Sequence, residues 1–386
     1  MTSSTSSGLN RLFHPQSVAV VGASTKRGYT WDSGNAYING CIRQSFSGRL
    51  YPVHPKAESI LGHKCYASIL DIPGPVDLAI ICIRASAAKQ IIADCAQKGV
   101  AFVHMLTAGF GETGQDSAAD VEEEIMAIAR EKGMRIVGPN CMGLYSPEGG
   151  LAWNGELPDR PGSVGLFSQS GQLANMIVRT SSQEGIYFSN VASFGNAGDM
   201  QAHEFLDYLA NDPKTDAIAG YIEGLKQGRD FFEAAKKVTP TKPLVVWKGG
   251  QTEGGARATQ SHTAALAGNF QTWQGMCRQA GIISVDSLAE MVHTLSALQG
   301  LPLPKGPNAA ILGGAGGGSV TMTDMAEQHG LGVPQLSDDT IDRLGAVVPV
   351  QGSSVKNPLD ILPFLTSEDS FKFVMELLKE DPLIDS

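Results

Sequence analysis

The stretch S-V-A-V-V-G-A-S, residues 17–24, decides the fold. A run with three valines, Ser17 to Val21, passes without a break into a turn of small residues, Gly22-Ala23-Ser24-Thr25-Lys26-Arg27-Gly28. A continuous apolar run, rather than an alternating one, reads as a parallel strand covered on both faces. A small-residue turn after such a strand lets backbone N–H groups approach a phosphate at the start of the next helix. Further runs at 49–53, 77–83, 100–106 and 134–137 share the pattern. Helical patterns separate them; the clearest spans 118–132, with acidic residues early, basic residues late and Gly133 as its stop. Residues 10–147 are therefore expected to form a doubly wound, Rossmann-like α/β domain.

A Gly/Pro-rich linker at 147–162, in which Trp153 is expected to pack on a neighbour, leads to a second series. Strands are expected at 163–167, 186–192, 217–222, 243–247 and 282–285. Helices are expected between and after them, at 172–184, 200–210, 231–238, 270–280 and 288–299. The alternation is that of a flavodoxin-like doubly wound domain over 148–301. P-L-P-K-G-P at 302–307 marks a boundary. A third series follows over 307–386, with a strand expected at 308–312 and a helix at 319–329. It holds about half the residues such a domain needs, so it reads as incomplete. Half a parallel sheet exposes an open edge, and this part is expected to be loosely held and covered by a partner.

The 386 residues carry 29 Lys and Arg against 39 Asp and Glu, a formal charge of -10. That balance argues against nucleic acid and anionic membranes as partners, which both reward clustered positive charge. No apolar segment of roughly 18 residues occurs, and the Ser/Thr-rich first ten residues do not read as a secretory signal. Six scattered cysteines without metal-type pairing fit a reducing cytoplasm. There is no G-x-x-x-x-G-K-[ST] loop, no H-E-x-x-H, no C-x-x-C and no hydrolase elbow, and the sequence supports no metal site.

The remaining motifs point at phosphate. The full G-x-G-x-x-G is absent, and His54-Pro55-Lys56 ends the second strand where an NAD site carries an acidic residue. A basic residue there suits a phosphorylated ribose, as in NADP or coenzyme A. Ser168-Gln169-Ser170-Gly171 and the turn 193–199, containing Gly195 and Asn196, each follow a strand and are expected to offer donors to one anion. His262 lies among small residues in S-H-T-A-A-L-A-G, 261–268, and reads as an accessible nucleophile on a loop. Glu223, in Y-I-E-G at 221–224, is its natural carboxylate partner. Other ordered pieces are Y-P-V-H-P-K (51–56), T-A-G-F-G-E (107–112), G-P-N-C-M-G (138–143), G-G-A-G-G-G (313–318) and N-P-L-D (357–360).

In this order, over essentially the whole chain, the set resembles the nucleoside-diphosphate-forming acyl-CoA synthetases, relatives of the succinyl-CoA synthetase α subunit. The resemblance implies an N-terminal CoA-binding domain, with Gly22, Ala23, Ser24, His54, Lys56, Thr107, Ala108 and Asn140 at the cofactor. It implies a phosphohistidine domain, with His262 as phosphoryl carrier and Glu223 beside it. Ser168, Gln169, Ser170, Gly171, Gly195 and Asn196 would hold phosphate and substrate. The reaction implied is acid + CoA + ATP in reversible exchange with acyl-CoA + ADP + phosphate. ATP/ADP and Mg²⁺ would bind an ATP-grasp region on a β subunit or a C-terminal fused domain, in a homo- or hetero-oligomer. The acid would be a small carboxylic acid, chosen by the pocket around S-Q-S-G and by side chains such as Trp153 and Phe194. Two other readings stand beside this one: a CoA-sensing or scaffold protein of the same fold, and an NADP-dependent reductase.

Overall fold

The computed structural model describes residues 3–25, 33–263, 269–301, 304–313, 316–349 and 352–385, with the backbone alone at 3–7 and 260–263. The end of the first turn, residues 26–28, and residues 264–268 after the histidine lie outside the described residues. Residues 1–300 form one compact unit and 301–386 a second.

The first unit begins with helix α1 (Ser3–Phe13), which the Ser/Thr-rich sequence did not announce. Then come β1 (Ser17–Val21), α2 (Gly34–Arg43), β2 (Arg49–Val53), a short hairpin of β3 (Ser59–Ile60) and β4 (His63–Lys64), and β5 (Leu78–Ile81). α3 (Ala85–Lys98), β6 (Phe102–Met105), α4 (Asp116–Glu131) and β7 (Arg135–Val137) complete a parallel sheet of order β2-β1-β5-β6-β7. All residues of β1, β5 and β6 are buried, as continuous apolar strands between two helical layers must be.

β8 (Gly143–Tyr145) follows at once but belongs to the other sheet, as its antiparallel edge against β10. That sheet contains β9 (Val164–Ser168), β10 (Phe188–Ser193) and β11 (Ala217–Ile222), with α5 (Gly171–Gln183) and α6 (Ala202–Asn211) between them. α7 (Gly228–Val238), β12 (Leu244–Lys248), α8 (Glu253–Thr263), α9 (Phe270–Ala280), β13 (Ile283–Val285) and α10 (Leu288–Gly300) finish it, in the order β13-β12-β11-β9-β10-β8. The parallel strands alone give the flavodoxin-like order. α7 shows why such helices dock: Phe231, Ala234, Ala235 and Val238 recur at helical spacing and are all buried.

The two sheets share one hydrophobic core, in which Tyr37 and Leu144 meet residues such as Phe167 and Phe194. A polar joint reinforces it. The Arg135 guanidinium, at the start of β7, donates to Asp199 at 3.0 Å and to both carboxylate oxygens of Glu204 at 2.9 and 3.1 Å. Replacing Arg135 with Met should cost roughly 1.5–3 kcal/mol, the range for charged hydrogen bonds. Urea denaturation that shows no loss would mean the joint contributes nothing.

The second unit contains β14 (Leu312–Gly313), α11 (Gly316–Gln328), α12 (Asp338–Gly345), β15 (Leu359–Asp360) and α13 (Glu368–Glu380) around a small core of Leu336, Leu344, Leu359, Val374 and Leu377. The strand expected at 308–312 is reduced to a two-residue parallel ladder. Ala309 donates instead to the Gly332 carbonyl, and the Ile311 amide to the Asn357 side chain, so the ladder cannot extend backwards. α11 buries only Ser319, while Val320, Met322 and Met325 are exposed.

Candidate active site

Doubly wound sheets bind ligands beyond the carboxyl ends of strands whose connections leave in opposite directions. The first sheet has this point between β1 and β5, the second between β9 and β11. One cleft of about 790 Å³ is lined from both sheets, by Cys82 to Arg84 and Leu106 to Ala108 on one side and Gln169 to Gln172 on the other. Asn140, Met142 and Gly195 also border it. Arg84 is the one charged residue on its wall among the described residues, and nothing in the sequence singled it out.

At the start of α5 the Ser170 hydroxyl caps the helix by accepting from the Leu173 amide at 3.3 Å. The buried Ser168 hydroxyl donates to the Ser170 carbonyl at 2.7 Å and fixes the turn. The amides of Ser170, Gly171 and Gln172 have no hydrogen-bond acceptor among the described residues, and all three residues line the cleft. A helix N-terminus with open donors is an anion site.

The turn at 195–198 differs from expectation. Three of its four amides are occupied: Asn196 donates to the Pro139 carbonyl at 3.0 Å, Ala197 to Phe194 at 3.0 Å and Gly198 to Gly138 at 2.9 Å, while that of Gly195 has no acceptor among the described residues. It joins the two sheets and does not present a row of donors to phosphate. The Asn196 side chain is held as well, donating to Glu112 at 2.6 Å and accepting from Asn140 at 3.3 Å. A second cavity of about 640 Å³, bordered by Glu112, Glu122 and Lys226, shares Gln169 and Gly195 with the first.

Glu223 sits just past β11 and is 7% exposed. One carboxylate oxygen accepts from the Tyr221 hydroxyl at 3.3 Å; the other is buried without a partner among the described residues. Burial, and next the Glu223 charge, push the Tyr221 phenol well above its usual range. Lys248, buried at the end of the neighbouring β12, has its pKa lowered by burial, against which the Glu223 charge acts. His262 was expected on a loop; its backbone lies instead in the last turn of α8. Gly254 and Gly255 suggested a loop, but they occupy the first turn, and Ala256, Arg257, Ala258 and Gln260 are good helix formers. α8 packs against the turn Gly111–Thr113 on the wall of the second cavity.

The remaining expected cofactor residues divide in two. Thr107, Ala108 and Asn140 line the cleft, with the Thr107 hydroxyl donating to the Ile81 carbonyl at 3.4 Å. Gly22 to Ser24, His54 and Lys56 stand at the same sheet edge, after β1 and β2, but are not on its wall. Gly22 has φ +98°, and a Cβ there would lie 2.1 Å from the Cys82 carbonyl oxygen, so only glycine fits. Asn35 of α2 grips Ser24 by its amide and carbonyl, both at 2.8 Å. His54 Nδ1 accepts from the amides of Lys56 and Ala57, which makes His54 a turn former, while Lys56 is exposed. Trp153 packs, as expected, but wholly in the core against Tyr145; Phe194 is buried against Phe205, so neither shapes the pocket wall. No group of three or more His, Cys, Asp or Glu side chains suited to a metal occurs among the described residues. Nor is any described helix long and apolar enough to cross a membrane.

Residues 16–147 match the family described as CoA binding domain, and residues 161–298 the succinyl-CoA ligase like flavodoxin domain. The acetate–CoA ligase [ADP-forming] II subunit alpha of Pyrococcus furiosus is 38% identical over 380 residues, covering 98% of this chain and 81% of that protein. The acetate–CoA ligase [ADP-forming] II of Archaeoglobus fulgidus is 37% identical over 385 residues, which are 98% of this chain but 56% of its own length. The chain thus spans about four-fifths of an α subunit and little more than half of a single-chain ligase. The dinucleotide forming acetyl-coenzyme A synthetase 1 of Ca. Korarchaeum cryptofilum, solved with phosphate and ADP, superposes with a TM-score of 0.89 at 32% identity. The match covers 98% of this chain and 80% of that one.

Proposed function

This chain belongs to the NDP-forming acyl-CoA synthetases, and on that premise we propose that it performs the thioester and phosphohistidine steps of an acid–thiol ligase. The overall reaction is carboxylic acid + CoA + ATP in exchange with acyl-CoA + ADP + phosphate. In the thioester-consuming direction, a phosphate oxygen attacks the acyl carbonyl carbon and the CoA thiolate leaves, taking up a proton. The product is an acyl phosphate. An imidazole nitrogen of His262 then attacks phosphorus, and the carboxylate leaves with the electron pair of the broken P–O bond. The phosphoryl group passes from nitrogen to ADP.

The observation that carries this reading is the cleft itself. Open amides of Ser170, Gly171 and Gln172 face strand ends of the CoA-type sheet, and a buried carboxylate, Glu223, stands at the adjoining strand end. Those amides are suited to the phosphate oxygens, where fixed donors stabilise charge during transfer. The partnerless oxygen of Glu223 is suited to an imidazole N–H, which would leave the other nitrogen of His262 unprotonated for attack. Residues 10–147 would hold CoA, 148–301 the phosphohistidine chemistry, and 307–386 the start of a third domain. ADP and Mg²⁺ would bind an ATP-grasp region on a partner subunit or a fused domain, in the cytoplasm.

Incubation with [³²P]phosphate and a short, a hydroxylated and an aromatic acyl-CoA tests the reading. At least one should leave acid-labile ³²P on the protein; acid-stable label, or none with any of the three, rejects it. CoA itself should lie with its phosphates near Gly22 to Ser24 and its charged adenosine end at Lys56. Lys56→Ala should weaken CoA by roughly 1.5–3 kcal/mol, the worth of a charged hydrogen bond. Calorimetry showing unchanged affinity, or tighter binding of NADP, would count against that placement.

A further inference from the structure

Glu223 and Gly224 have all four of their main-chain polar groups held by side chains from the two adjoining strand ends. Gln169, just past β9, accepts through Oε1 from the amides of Glu223 and Gly224 at 2.5 and 2.9 Å, and its Nε2 donates to the Gly224 carbonyl at 2.7 Å. From the other side Lys248 Nζ donates to the Glu223 carbonyl at 2.8 Å and also to the Gly249 carbonyl. The three side chains involved are deeply buried: Gln169 is 8%, Glu223 7% and Lys248 5% exposed. Backbone groups at a strand end need partners, but water or a neighbouring turn usually supplies them. A buried ammonium is a costly way to satisfy two carbonyls, because its desolvation opposes folding.

The Gln169 carbonyl oxygen is thereby fully engaged, and its Nε2 keeps one N–H, which still suits the phosphate contact expected from the sequence. We infer that Gln169 and Lys248 are positioning residues for phosphoryl transfer: together they fix the direction of the Glu223 carboxylate. Lys248 further ties that carboxylate's backbone to Gly249, where the chain leaves β12 for α8 and His262. The clamp fixes the main chain from which the Glu223 side chain springs, the Tyr221 hydroxyl holds one carboxylate oxygen, and the other stays buried without a partner among the described residues. The role given to the clamp rests on the proposed chemistry of His262.

The test uses the full chain and the labelling reaction above, with Gln169→Leu, Lys248→Met and Lys248→Arg. The labelling rate should fall roughly 100-fold in the first two, the scale of a misplaced catalytic group. KM for phosphate and for acyl-CoA should change by less than about threefold. Lys248→Arg, which keeps charge and donors, should recover at least about a tenth of the wild-type rate, and it carries the test if Lys248→Met does not fold. Amide hydrogen exchange should show lost protection at Glu223 and Gly224 in Gln169→Leu, a readout that needs no activity. Undiminished label in folded variants, a loss confined to KM, or unchanged exchange overturns the clamp. Wild-type protein without label overturns the proposed function, and this role with it.

Discussion

His262→Ala should leave the chain unlabelled by [³²P]phosphate and acyl-CoA, while calorimetry should find its CoA affinity unchanged. Both halves follow from the separation of the two binding regions. The CoA-type residues belong to the ends of β1, β2, β5 and β6, whereas His262 stands on α8, which the second sheet carries. Removing an imidazole there takes away the proposed nucleophile and none of the residues expected at CoA. The P–N bond of phosphohistidine is acid-labile, so label that survives acid, or that persists in the variant, places the phosphoryl group elsewhere. Glu223→Gln should slow labelling by about 10²-fold without abolishing it. The amide keeps the shape and still meets the Tyr221 hydroxyl, but it loses the charge that favours one imidazole tautomer and steadies the cation formed on transfer. Label kept in His262→Ala but lost in Glu223→Gln would make the carboxylate, rather than the imidazole, the acceptor.

Both sheets were legible in the sequence because their strands are buried on two faces and read as unbroken apolar runs. β1, β2 and β11 have the expected bounds, and the others differ by a residue or two at most of their ends. Local pattern failed where a long-range contact decides the outcome. Glycines before His262 read as loop, yet α8 continues through them because the residues that follow favour helix. No strand was expected after G-P-N-C-M-G, but Gly143 to Tyr145 pair with β10 and carry the chain into the second sheet. The turn after β10 looked like a phosphate cradle on composition, although two of its amides meet carbonyls more than fifty residues earlier. Gln169, expected at phosphate and substrate, also has a role that local pattern does not show. Its role depends on Glu223, Gly224 and Lys248, which only the sheet order brings to it.

Gly195→Ala should strongly weaken the joint between the two sheets. Gly195 has φ +50°, in the left-handed region, where a Cβ costs roughly 1–2 kcal/mol. The added carbon would also lie 2.3 Å from the carbonyl oxygens of both Pro139 and Asn140, which are backbone atoms and cannot rotate aside. One of two turns must then move. The Asn196-to-Pro139 and Gly198-to-Gly138 hydrogen bonds that join the sheets would lengthen together. A total loss above about 3 kcal/mol is expected, or a fall of roughly 5–10 °C in melting temperature. Gly185→Ala separates strain from collision: its φ is +78°, but nothing lies within 4 Å of the added Cβ, so about 1 kcal/mol should be lost. Because Gly195 and Asn140 also border the CoA-side cleft, any Gly195→Ala protein that still folds should bind CoA more weakly, whereas Gly185→Ala should not. Equal melting shifts in the two variants would show that the turn yields, and that the joint between the sheets does not depend on this close approach.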